Sequence, residues 1–389
     1  MKRITTIIAL IVLFAFGNSS IKAQPKTEKG YQPVILQAAL VYPFGTNGKY
    51  VDVENYVSLN LIAGYAAALK GLEVSGFGSA LKDYGEGVQV AGFGNIVNNY
   101  FKGVQVSGFA NIVGNGFSGV QITGFANIGG GDFEGVQVSG FTNIGGGTVS
   151  GLQITGFANI NGGNVEGFQI GGFTNINGGS VSGFQVAGFA NINENFDGFQ
   201  ISPFNIAGNV SGFQIGVVNI SKSMRGLPIG IITYVKDGYQ KIDVWGNESF
   251  YMNAAFKTGL KGFYNIIGVG FRPGDFSRYG LTWGIGSEIP LGKGAFVNME
   301  ATATQIGEDE IWTNKLNLLN QFKLNFGGMV APKLGIYAGP TFNVLVSEYI
   351  NAGGGIGSDI APSWHFYDET NGNTNIKMWI GLNLGLRIL

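Results

Sequence analysis

The sequence predicts an all-β protein in which a β-solenoid, built from a tandem 16-residue repeat, is combined with outer-membrane-type antiparallel β-barrel strands. Three observations predict this fold class. Glycine accounts for 67 of the 389 residues, a glycine-containing unit recurs at a fixed spacing in the middle of the chain, and the C-terminal part alternates between apolar and other residues. Alternation with a period of two is typical of strands, and glycine is costly inside a helix.

The composition excludes several classes of protein. Charged residues make up 12% of the chain and the formal net charge is −1, so nothing in the charge favours nucleic acid as a partner. Hydrophobic residues make up 45%, which is too high a share for a disordered chain. The sequence has no cysteine, which excludes disulfide bonds, thiol chemistry, thiolate metal sites and a lipid-modified cysteine anchor.

Residues 1–23 have the features of a secretory signal peptide. Lys2 and Arg3 form the basic start, residues 4–16 form an apolar segment, and the small residue Ala23 marks the expected cleavage site. The apolar segment is shorter than the about 20 residues that a membrane-spanning helix needs. We therefore expect an exported protein that loses residues 1–23.

Residues 24–70 contain two alternating segments, which predict N-terminal barrel-like strands. Apolar residues occupy every second position of residues 34–42 and again of residues 57–65. This pattern is typical of a strand that has one apolar face.

Residues 71–238 consist of tandem repeats. A new unit begins with a glycine at Gly71 and then every 16 residues as far as Gly183, after which the spacing shortens to 15, 14 and 14 residues at Gly198, Gly212 and Gly226. The unit reads G-Φ-Q-Φ-x-G-F-x-N-I, where Φ is apolar, and residues 119–134, GVQITGFANIGGGDFE, show it well. Valine, isoleucine and phenylalanine favour strands, and the glycine pairs favour turns.

Glutamine and asparagine hold fixed places in successive units and form the candidate repeat ladder. The glutamine row is Gln89, Gln105, Gln121, Gln137, Gln153, Gln169 and Gln185, followed by Gln200 and Gln214. The asparagine row is Asn95, Asn111, Asn127, Asn143, Asn159, Asn175 and Asn191, followed by Asn205 and Asn219.

Two arrangements fit the repeat. Each unit is either one coil of a parallel β-solenoid or one strand of a single large barrel, which would have about 20 strands, an even number as bacterial barrels require. The spacing from glutamine to asparagine falls from six residues to five at Gln200–Asn205 and Gln214–Asn219. An odd change within one strand would turn the asparagine to the other face, whereas a corner between two short strands can lose a residue. The solenoid is therefore favoured.

The solenoid predicts that identical side chains lie above one another about 4.8 Å apart. Asparagine amides can then hydrogen-bond in a ladder, and phenylalanine rings can stack. We expect the glutamine row from Gln89 to Gln214 to face outward, where a regular row of amides could bind a glycan or another protein. The alternative is that the row only forms hydrogen bonds within the stack.

Residues 239–389 predict a C-terminal β-barrel-like region. Residues 376–388 alternate throughout, with Ile376, Leu382 and Ile388 on one face and Lys377, Asn383 and Arg387 on the other. Similar segments occur at 279–285, 295–303 and 334–346, each near the 9–11 residues with which a tilted strand crosses a bilayer. Short and long connections alternate between these segments, as in outer-membrane barrels.

The repeat and the C-terminal strands resemble a bacterial surface-repeat family that carries G-Φ-Q-Φ-G-Φ-x-N units with an outer-membrane β-barrel-like region. The resemblance rests on GVQV and GFANI in the repeat, and on YNIIGVGF, KLGIYAGPTFNVLV and WIGLNLGLRIL after it. It implies a location in the outer membrane or at the cell surface of a Gram-negative bacterium, with outer-membrane lipid as a partner. The family has no established activity to carry over to this chain.

Candidate catalytic, cofactor and metal residues are few. His365 is the only histidine, so a histidine-based triad or a multi-histidine metal site is not expected. The acidic runs Glu308–Glu310 and Asp368–Glu369 are expected to be solvated loops.

Glycine-rich segments also give no ligand site. The positions equivalent to Asp132 hold Thr148, Asn164 and Ser180, so a ladder of calcium-binding carboxylates is not expected. The run Gly353–Gly357 lacks the strand-to-helix context of a phosphate loop. We therefore expect no enzyme, no cofactor and no metal, but a structural or interaction protein. The alternative is an outer-membrane pore or transporter with a glutamine- and asparagine-lined lumen.

Overall fold

A computed structural model describes residues 30–274, 277–351 and 353–388. The predicted signal peptide, residues 1–23, lies outside the described residues. All regular secondary structure in the described residues is β-strand. The chain divides into two compact units, Met1–Gly216 and Val217–Leu389.

The first unit contains strands β1 to β19. Their bounds are β1 Gln32–Val41, β2 Phe44–Gly45, β3 Val53–Ala66, β4 Ala68–Ser75, β5 Gly78–Leu81, β6 Gly85–Ala91, β7 Gly94–Val97, β8 Phe101–Ser107, β9 Ala110–Val113, β10 Phe117–Thr123, β11 Ala126–Gly129, β12 Phe133–Ser139, β13 Thr142–Gly145, β14 Val149–Thr155, β15 Ala158–Asn161, β16 Val165–Gly171, β17 Thr174–Ala187, β18 Ala190–Ile201 and β19 Phe204–Ile215.

Each regular repeat unit forms one coil of a parallel β-solenoid. The coil has a strand of seven residues, such as β10, and a strand of four residues, such as β11. β10 pairs in parallel with β8 and β12, and its Gln121 lies opposite Gln105 and Gln137. Every residue therefore meets its own counterpart one unit away, which confirms the solenoid. The alternative of one barrel of about 20 antiparallel strands is wrong for the repeats.

The shortened units lose their residues at corners. Between β17 and β18, Asn177 pairs with Asn193 but Ser180 pairs with Asn195, so the later coil has one residue fewer between these pairs. The strand residues on either side keep their register. In the regular coils this place is the turn between the four-residue and the seven-residue strand, whereas β17 and β18 run through it without a break. Shortening it leaves the inward and outward faces on either side unchanged.

The N-terminal strands differ from the prediction. β1 pairs in parallel with β3, and β3 pairs in parallel with β4 and β5. The barrel-like strands predicted in residues 24–70 thus belong to the same parallel stack as the repeats. Apolar alternation shows which residues share a face of a strand, but it does not identify the neighbouring strand.

The second unit contains strands β20 to β30. Their bounds are β20 Val218–Ile229, β21 Ile232–Val235, β22 Tyr239–Gly246, β23 Met252–Leu260, β24 Phe263–Arg272, β25 Arg278–Gly292, β26 Ala295–Glu308, β27 Asn317–Ala331, β28 Leu334–Ser347, β29 Tyr367–Asn371 and β30 Thr374–Ile388. β20 and β21 pair in parallel.

Strands β22 to β30 form a separate antiparallel sheet. Neighbouring strands pair in the order β22 to β28, then β30 and β29, and β22 also pairs with β30. Within the described residues, β22 to β28 and β30 therefore each have an antiparallel neighbour on both sides. The connections β23–β24, β25–β26 and β27–β28 each span two residues, while those at the opposite ends of these strands are longer.

Candidate functional site

The glutamine row lies inside the solenoid. The side chains of Gln105, Gln121 and Gln137 are at most 2% exposed, so the prediction of an outward glutamine row is wrong. Gln121 Nε2 donates to Gln105 Oε1 at 2.8 Å, and Gln137 Nε2 donates to Gln121 Oε1 at 2.8 Å. The apolar residues on either side of each glutamine lie on the opposite face of the strand, and Val88, beside Gln89, is 37% exposed. The period of two separates these two sets, but only the stacking of coils decides that the amides turn inward.

The asparagine row runs beside it with the opposite polarity. Asn111 Nδ2 donates to Asn127 Oδ1 at 3.0 Å, and Asn127 Nδ2 donates to Asn143 Oδ1 at 3.0 Å. Asn127 Nδ2 also donates to the backbone carbonyl of Val138 at 3.0 Å. Glutamine amides thus donate toward the N-terminus and asparagine amides toward the C-terminus, so that each buried amide has partners.

A third, shorter row was not predicted. Asn161 Nδ2 donates to Asn177 Oδ1 at 2.9 Å, and Asn177 Nδ2 donates to Asn193 Oδ1 at 2.8 Å. The same amides bond sideways to glutamines, for example Asn161 Nδ2 to Gln153 Oε1 at 2.9 Å. The sequence signal is a second asparagine two residues after the first, as in Asn159-Ile160-Asn161.

Two substitutions in the first repeat unit terminate the rows. Glu73 takes the glutamine position, and its Oε2 accepts the Gln89 Nε2 donor at 2.9 Å. Ser79 takes the asparagine position, and its hydroxyl donates to Asn95 Oδ1 at 3.2 Å. An ionised carboxylate is an acceptor only, so Glu73 suits the end of the glutamine row, where an acceptor is needed. A hydroxyl can donate, so Ser79 suits the end of the asparagine row, where a donor is needed.

Burial of Glu73 changes its acidity. Its side chain is buried, and loss of water raises the pKa of this carboxyl above its ordinary value of 4.5, while polar contacts with Gln89, Ser79, Ser58 and Asn60 oppose the rise. The protonated form is therefore favoured in the folded protein relative to the unfolded chain.

The glutamine row ends at Gln214. Gln214 Nε2 donates to Gln200 Oε1 at 2.8 Å, whereas Gln214 Oε1 is buried without a hydrogen-bond partner in the described part of the chain. The repeat position that would supply the next donor is occupied by Pro228, whose side chain has none.

Phenylalanine rings stack along the outside of the solenoid, as predicted. The rings of Phe109, Phe125 and Phe141 have centroids 4.8 and 4.9 Å apart and planes within 4° of parallel. Each ring follows the glycine of the turn between the two strands of its coil, and Phe141 is 41% exposed. The outer surface of the solenoid is therefore apolar at this corner, while its interior is rich in amides.

A network of buried charges lies within the antiparallel sheet. Lys257 Nζ bonds to Asp243 Oδ2 at 2.5 Å and also to the Glu300 carboxylate. Arg387 forms a two-pronged pair with Asp243 at 3.0 Å and bonds to Glu288 Oε2 at 2.7 Å. Each of these carboxylates has a cation as partner, so none of them is an available general base.

A further cation and large side chains fill the same interior. Lys323 is 2% exposed, and its Nζ lies 4.5 Å from the centre of the Trp245 ring. Tyr264 and Trp379 are fully buried. Buried charges need such compensating partners, so we interpret the network as the filling of the sheet interior.

The acidic run Glu308–Glu310 is only partly a solvated loop. Asp309 and Glu310 are exposed, but Glu308 is 8% exposed and ends β26. Arg278 Nε bonds to Glu308 Oε2 at 2.6 Å, and the Ser358 hydroxyl donates to the same carboxyl. The expectation of a solvated run is wrong for Glu308, because the neighbouring strand supplies a cation that the sequence does not place.

The other candidate groups have local structural partners. His365 Nδ1 lies 2.9 Å from the Pro362 carbonyl and Nε2 lies 3.4 Å from Asp368. Asp368 and Glu369 lie in β29 and not, as expected, in a loop. Asp132 Oδ1 accepts the backbone N–H of Thr148 at 2.8 Å. These contacts stabilise turns and strand ends.

The loop of Gly353–Gly357 is also held by its own side chains. Asn351 Oδ1 accepts the backbone N–H groups of Gly353 and Gly355 at 3.1 and 2.9 Å. Among residues 30–274, 277–351 and 353–388, no group of three or more acidic or histidine side chains is placed to hold a metal ion. Over the same residues, no helix has the length and apolar character needed to cross a membrane.

An open apolar groove lies on the outer face of the antiparallel sheet. Its volume is about 790 Å³, and Ile231, Ile232, Phe256, Val269 and Trp283 contribute to its lining. Asn265 Nδ2 donates to the Gly230 carbonyl at 2.7 Å beside it. The groove contains no titratable group and therefore offers hydrophobic contact but no acid–base chemistry.

Comparisons with protein-family models, with curated proteins and with solved structures give no match to this chain.

Proposed function

We propose that this chain is an exported, non-catalytic structural or interaction protein of the outer membrane of a Gram-negative bacterium. In this proposal, strands β22 to β28 and β30 form an eight-stranded β-barrel that crosses the membrane. The solenoid supplies a regular surface for contacts with other molecules.

The observation that carries the proposal is the inverted distribution of side chains across the antiparallel sheet. On β30, Leu382 and Leu384 are 69% and 70% exposed, whereas Asn383 and Arg387 are at most 2% exposed. A soluble sheet buries its apolar face and exposes its polar face. The opposite arrangement is typical of strands that face lipid outside and a polar interior inside.

The lengths of the strands and connections support the same proposal. Strands β25 to β28 and β30 have 14 or 15 residues, more than the about 9–11 residues that a tilted strand needs to cross a bilayer. The turns β23–β24, β25–β26 and β27–β28 have two residues each at one end of the sheet, and the connections at the other ends of these strands are longer. Outer-membrane barrels have this asymmetry.

The pore alternative has less support. The glutamine and asparagine rows, which were expected to line a lumen, bond to one another inside the solenoid coils. The interior of the antiparallel sheet holds Arg387, Tyr264 and Trp379, each at most 1% exposed. These large side chains occupy space that an open lumen would need.

A matched pair of substitutions tests the membrane assignment. Leu384→Lys places a charge on the outer face of β30, and Ile311→Lys places the same charge in the β26–β27 connection, where the side chain is also exposed, at 67%. A lysine facing the middle of a bilayer costs about 2–4 kcal/mol. We expect Leu384→Lys to reduce several-fold the amount of folded protein in outer-membrane fractions. Folded protein is measured by gel electrophoresis as the band whose mobility changes when the sample is heated. Ile311→Lys should leave this amount unchanged.

Equal bands for both variants, or recovery of the wild-type protein in the soluble fraction without detergent, would contradict the membrane assignment. Conductance in planar bilayers separates the two functions. The proposal expects no stable unitary currents from purified wild-type protein, and such currents would favour the pore.

A further inference from the structure

In the coils of residues 85–216, charged side chains are confined to one corner. Between residues 85 and 216, every charged residue lies within the four positions that precede the first glycine of a repeat unit. These residues, which we name the acidic edge, are Glu86, Lys102, Asp132, Glu134, Glu166, Glu194 and Asp197. The edge thus carries six acidic groups and one lysine, and each is exposed or partly exposed.

The opposite corner is apolar over its whole length. We name it the phenylalanine edge, formed by Phe77, Phe93, Phe109, Phe125, Phe141, Phe157, Phe173 and Phe189, which are 40–56% exposed. Outward isoleucines flank it on the short strand, with Ile144 37% and Ile160 39% exposed. Seven steps of about 4.8 Å give the edge a length of about 34 Å.

The backbone of the phenylalanine edge has internal hydrogen-bond partners. Phe125 N donates to the Phe109 carbonyl at 3.2 Å, Phe141 N to Phe125 at 3.0 Å, and Phe157 N to Phe141 at 3.0 Å. An apolar medium accepts a backbone only when its polar groups are already bonded. This edge meets that condition at successive coils, although it is a turn and not a strand.

The shape of the edge distinguishes lipid from a second copy of the chain. The ring projects from a two-residue turn between two strands, so the edge is a narrow convex ridge with apolar flanks. Two convex ridges touch along a line, whereas a stable protein interface buries about 1,200–2,000 Å² and has a polar rim. A fluid acyl layer can cover a ridge on all sides.

Charge favours the same orientation. The acidic edge, on the far side of each coil, would be repelled by anionic headgroups and is best solvated by water. A bilayer interface accommodates an element with one apolar side and one charged side when it lies parallel to the membrane plane.

We propose that the phenylalanine edge lies in the boundary between headgroups and acyl chains of a lipid bilayer, so that the solenoid itself is a peripheral membrane element. The inference does not depend on whether the antiparallel sheet crosses the membrane. Amphipathic helices are the elements that usually lie in a membrane interface. Here a row of turns in a β-solenoid makes the same kind of contact with lipid.

The absence of native cysteine from the sequence allows single spin labels in the full chain. Phe141→Cys and Ile144→Cys place labels on the phenylalanine edge and its flank, and Thr148→Cys places a control label at the opposite corner of the same coil. The labelled proteins are reconstituted into phosphatidylcholine vesicles. Accessibility is measured to oxygen, which concentrates in lipid, and to a water-soluble nickel complex.

We expect the ratio of oxygen to nickel accessibility to be at least about fivefold higher at positions 141 and 144 than at position 148. Equal, nickel-accessible labels at all three positions would overturn the proposal. Dipolar broadening between labels on different molecules, with both reagents excluded from position 141, would also overturn it, because a second copy would then cover the edge.

A fourth label separates this inference from the proposed function. Leu384→Cys reports on the outer face of β30, whose lipid exposure belongs to the barrel proposal alone. Lipid exposure at position 141 with water exposure at position 384 would support the inference while contradicting the barrel, and the reverse result would do the opposite. Circular dichroism of each labelled chain verifies that it is folded.

Discussion

At the scale of the residue, the solenoid depends on buried amides that form hydrogen bonds in two opposite directions. Each internal glutamine or asparagine donates to its counterpart in one neighbouring coil and accepts from its counterpart in the other neighbouring coil. Removing one amide therefore leaves polar groups of two neighbours without partners. Leaving a buried donor or acceptor unsatisfied costs more than a hydrogen bond contributes.

Asn127→Ala tests the asparagine row. The substitution removes the acceptor of Asn111 Nδ2 and the donor to Asn143 Oδ1 and the Val138 carbonyl. We expect it to lower the free energy of unfolding by about 2–4 kcal/mol, since buried groups lose their partners. The exposed Asn115, which donates to Asn99 Oδ1 at 2.7 Å, is the control, and Asn115→Ala should change stability by less than about 0.5 kcal/mol. Urea unfolding followed by circular dichroism measures both, and equal effects would show that the row does not depend on burial.

Glu73→Gln tests the termination of the glutamine row. Because burial raises the pKa of Glu73 in the folded state, stability from this group is fully present below the unfolded value near 4.5 and is lost as pH rises through the folded pKa. At neutral pH, glutamine at this position should stabilise the protein, because it carries no charge that burial disfavours. Thermal unfolding between pH 4 and 8 should show a smaller decline for Glu73→Gln than for wild type. Glu86→Gln on the acidic edge is the control, and a wild-type-like decline in Glu73→Gln would contradict this account.

At the scale of the element, the first glycine of each unit allows neighbouring coils to approach. Gly119, Gly135 and Gly151 have φ angles near +130°, in the region that side chains disfavour. A Cβ atom on Gly135 would lie 2.0 Å from the Gly119 carbonyl oxygen. Two physical causes therefore require glycine at this position: the φ angle disfavours other residues, and the neighbouring coil leaves no space for a Cβ atom.

Gly135→Ala should therefore disrupt its coil. We expect a loss of about 3 kcal/mol or more, because strain in φ and a backbone clash act together. Gly129 lies at the end of β11 in the preceding coil, and a Cβ atom there would meet only the Ile144 carbonyl oxygen at 4.0 Å. Gly129→Ala is the matched control and should be tolerated. Hydrogen exchange of the coil amides compares the two variants, and similar protection in both would refute the steric argument.

At the scale of the whole molecule, repetition makes the number of coils adjustable. Each coil contacts its neighbours through identical positions, so that stability is nearly a sum of coil and interface contributions. Deletion of residues 135–150 joins Glu134 to Gly151 and brings Gln121 opposite Gln153.

We expect the 135–150 deletion to fold into a solenoid one coil shorter, with the ladders rejoined in register. Deletion of residues 135–142, which is half a unit, places unlike residues opposite one another and should prevent stacking. Protease resistance and the strand signal in circular dichroism distinguish the two products. Equal resistance of both deletions would mean that register between coils is not required.

The sequence by itself determined the repeat, and it favoured the parallel stacking and the stacked phenylalanines that the strand pairing then confirmed. The spacing of Gln200 to Asn205 favoured corners over continuous strands, because an odd change reverses the face of everything beyond it. The substitutions at Glu73 and Ser79 already marked an atypical first unit, although their roles as acceptor and donor required the hydrogen bonds of the coil.

Only the tertiary structure decided which face of the strands is inside. In the unit GVQVA of residues 87–91, Val88 and Gln89 point to opposite sides of the strand, and hydrophobicity alone favours burying the valine, yet Val88 is 37% exposed and Gln89 is fully buried. Stacking reverses this choice, because an amide in register with its copies satisfies its own hydrogen bonds while buried. The tertiary structure likewise placed β1 and β3 in the parallel stack, paired Arg278 with Glu308, and brought Asp243 to Arg387. These contacts join residues that are far apart along the chain, and no spacing in the sequence indicates that they meet.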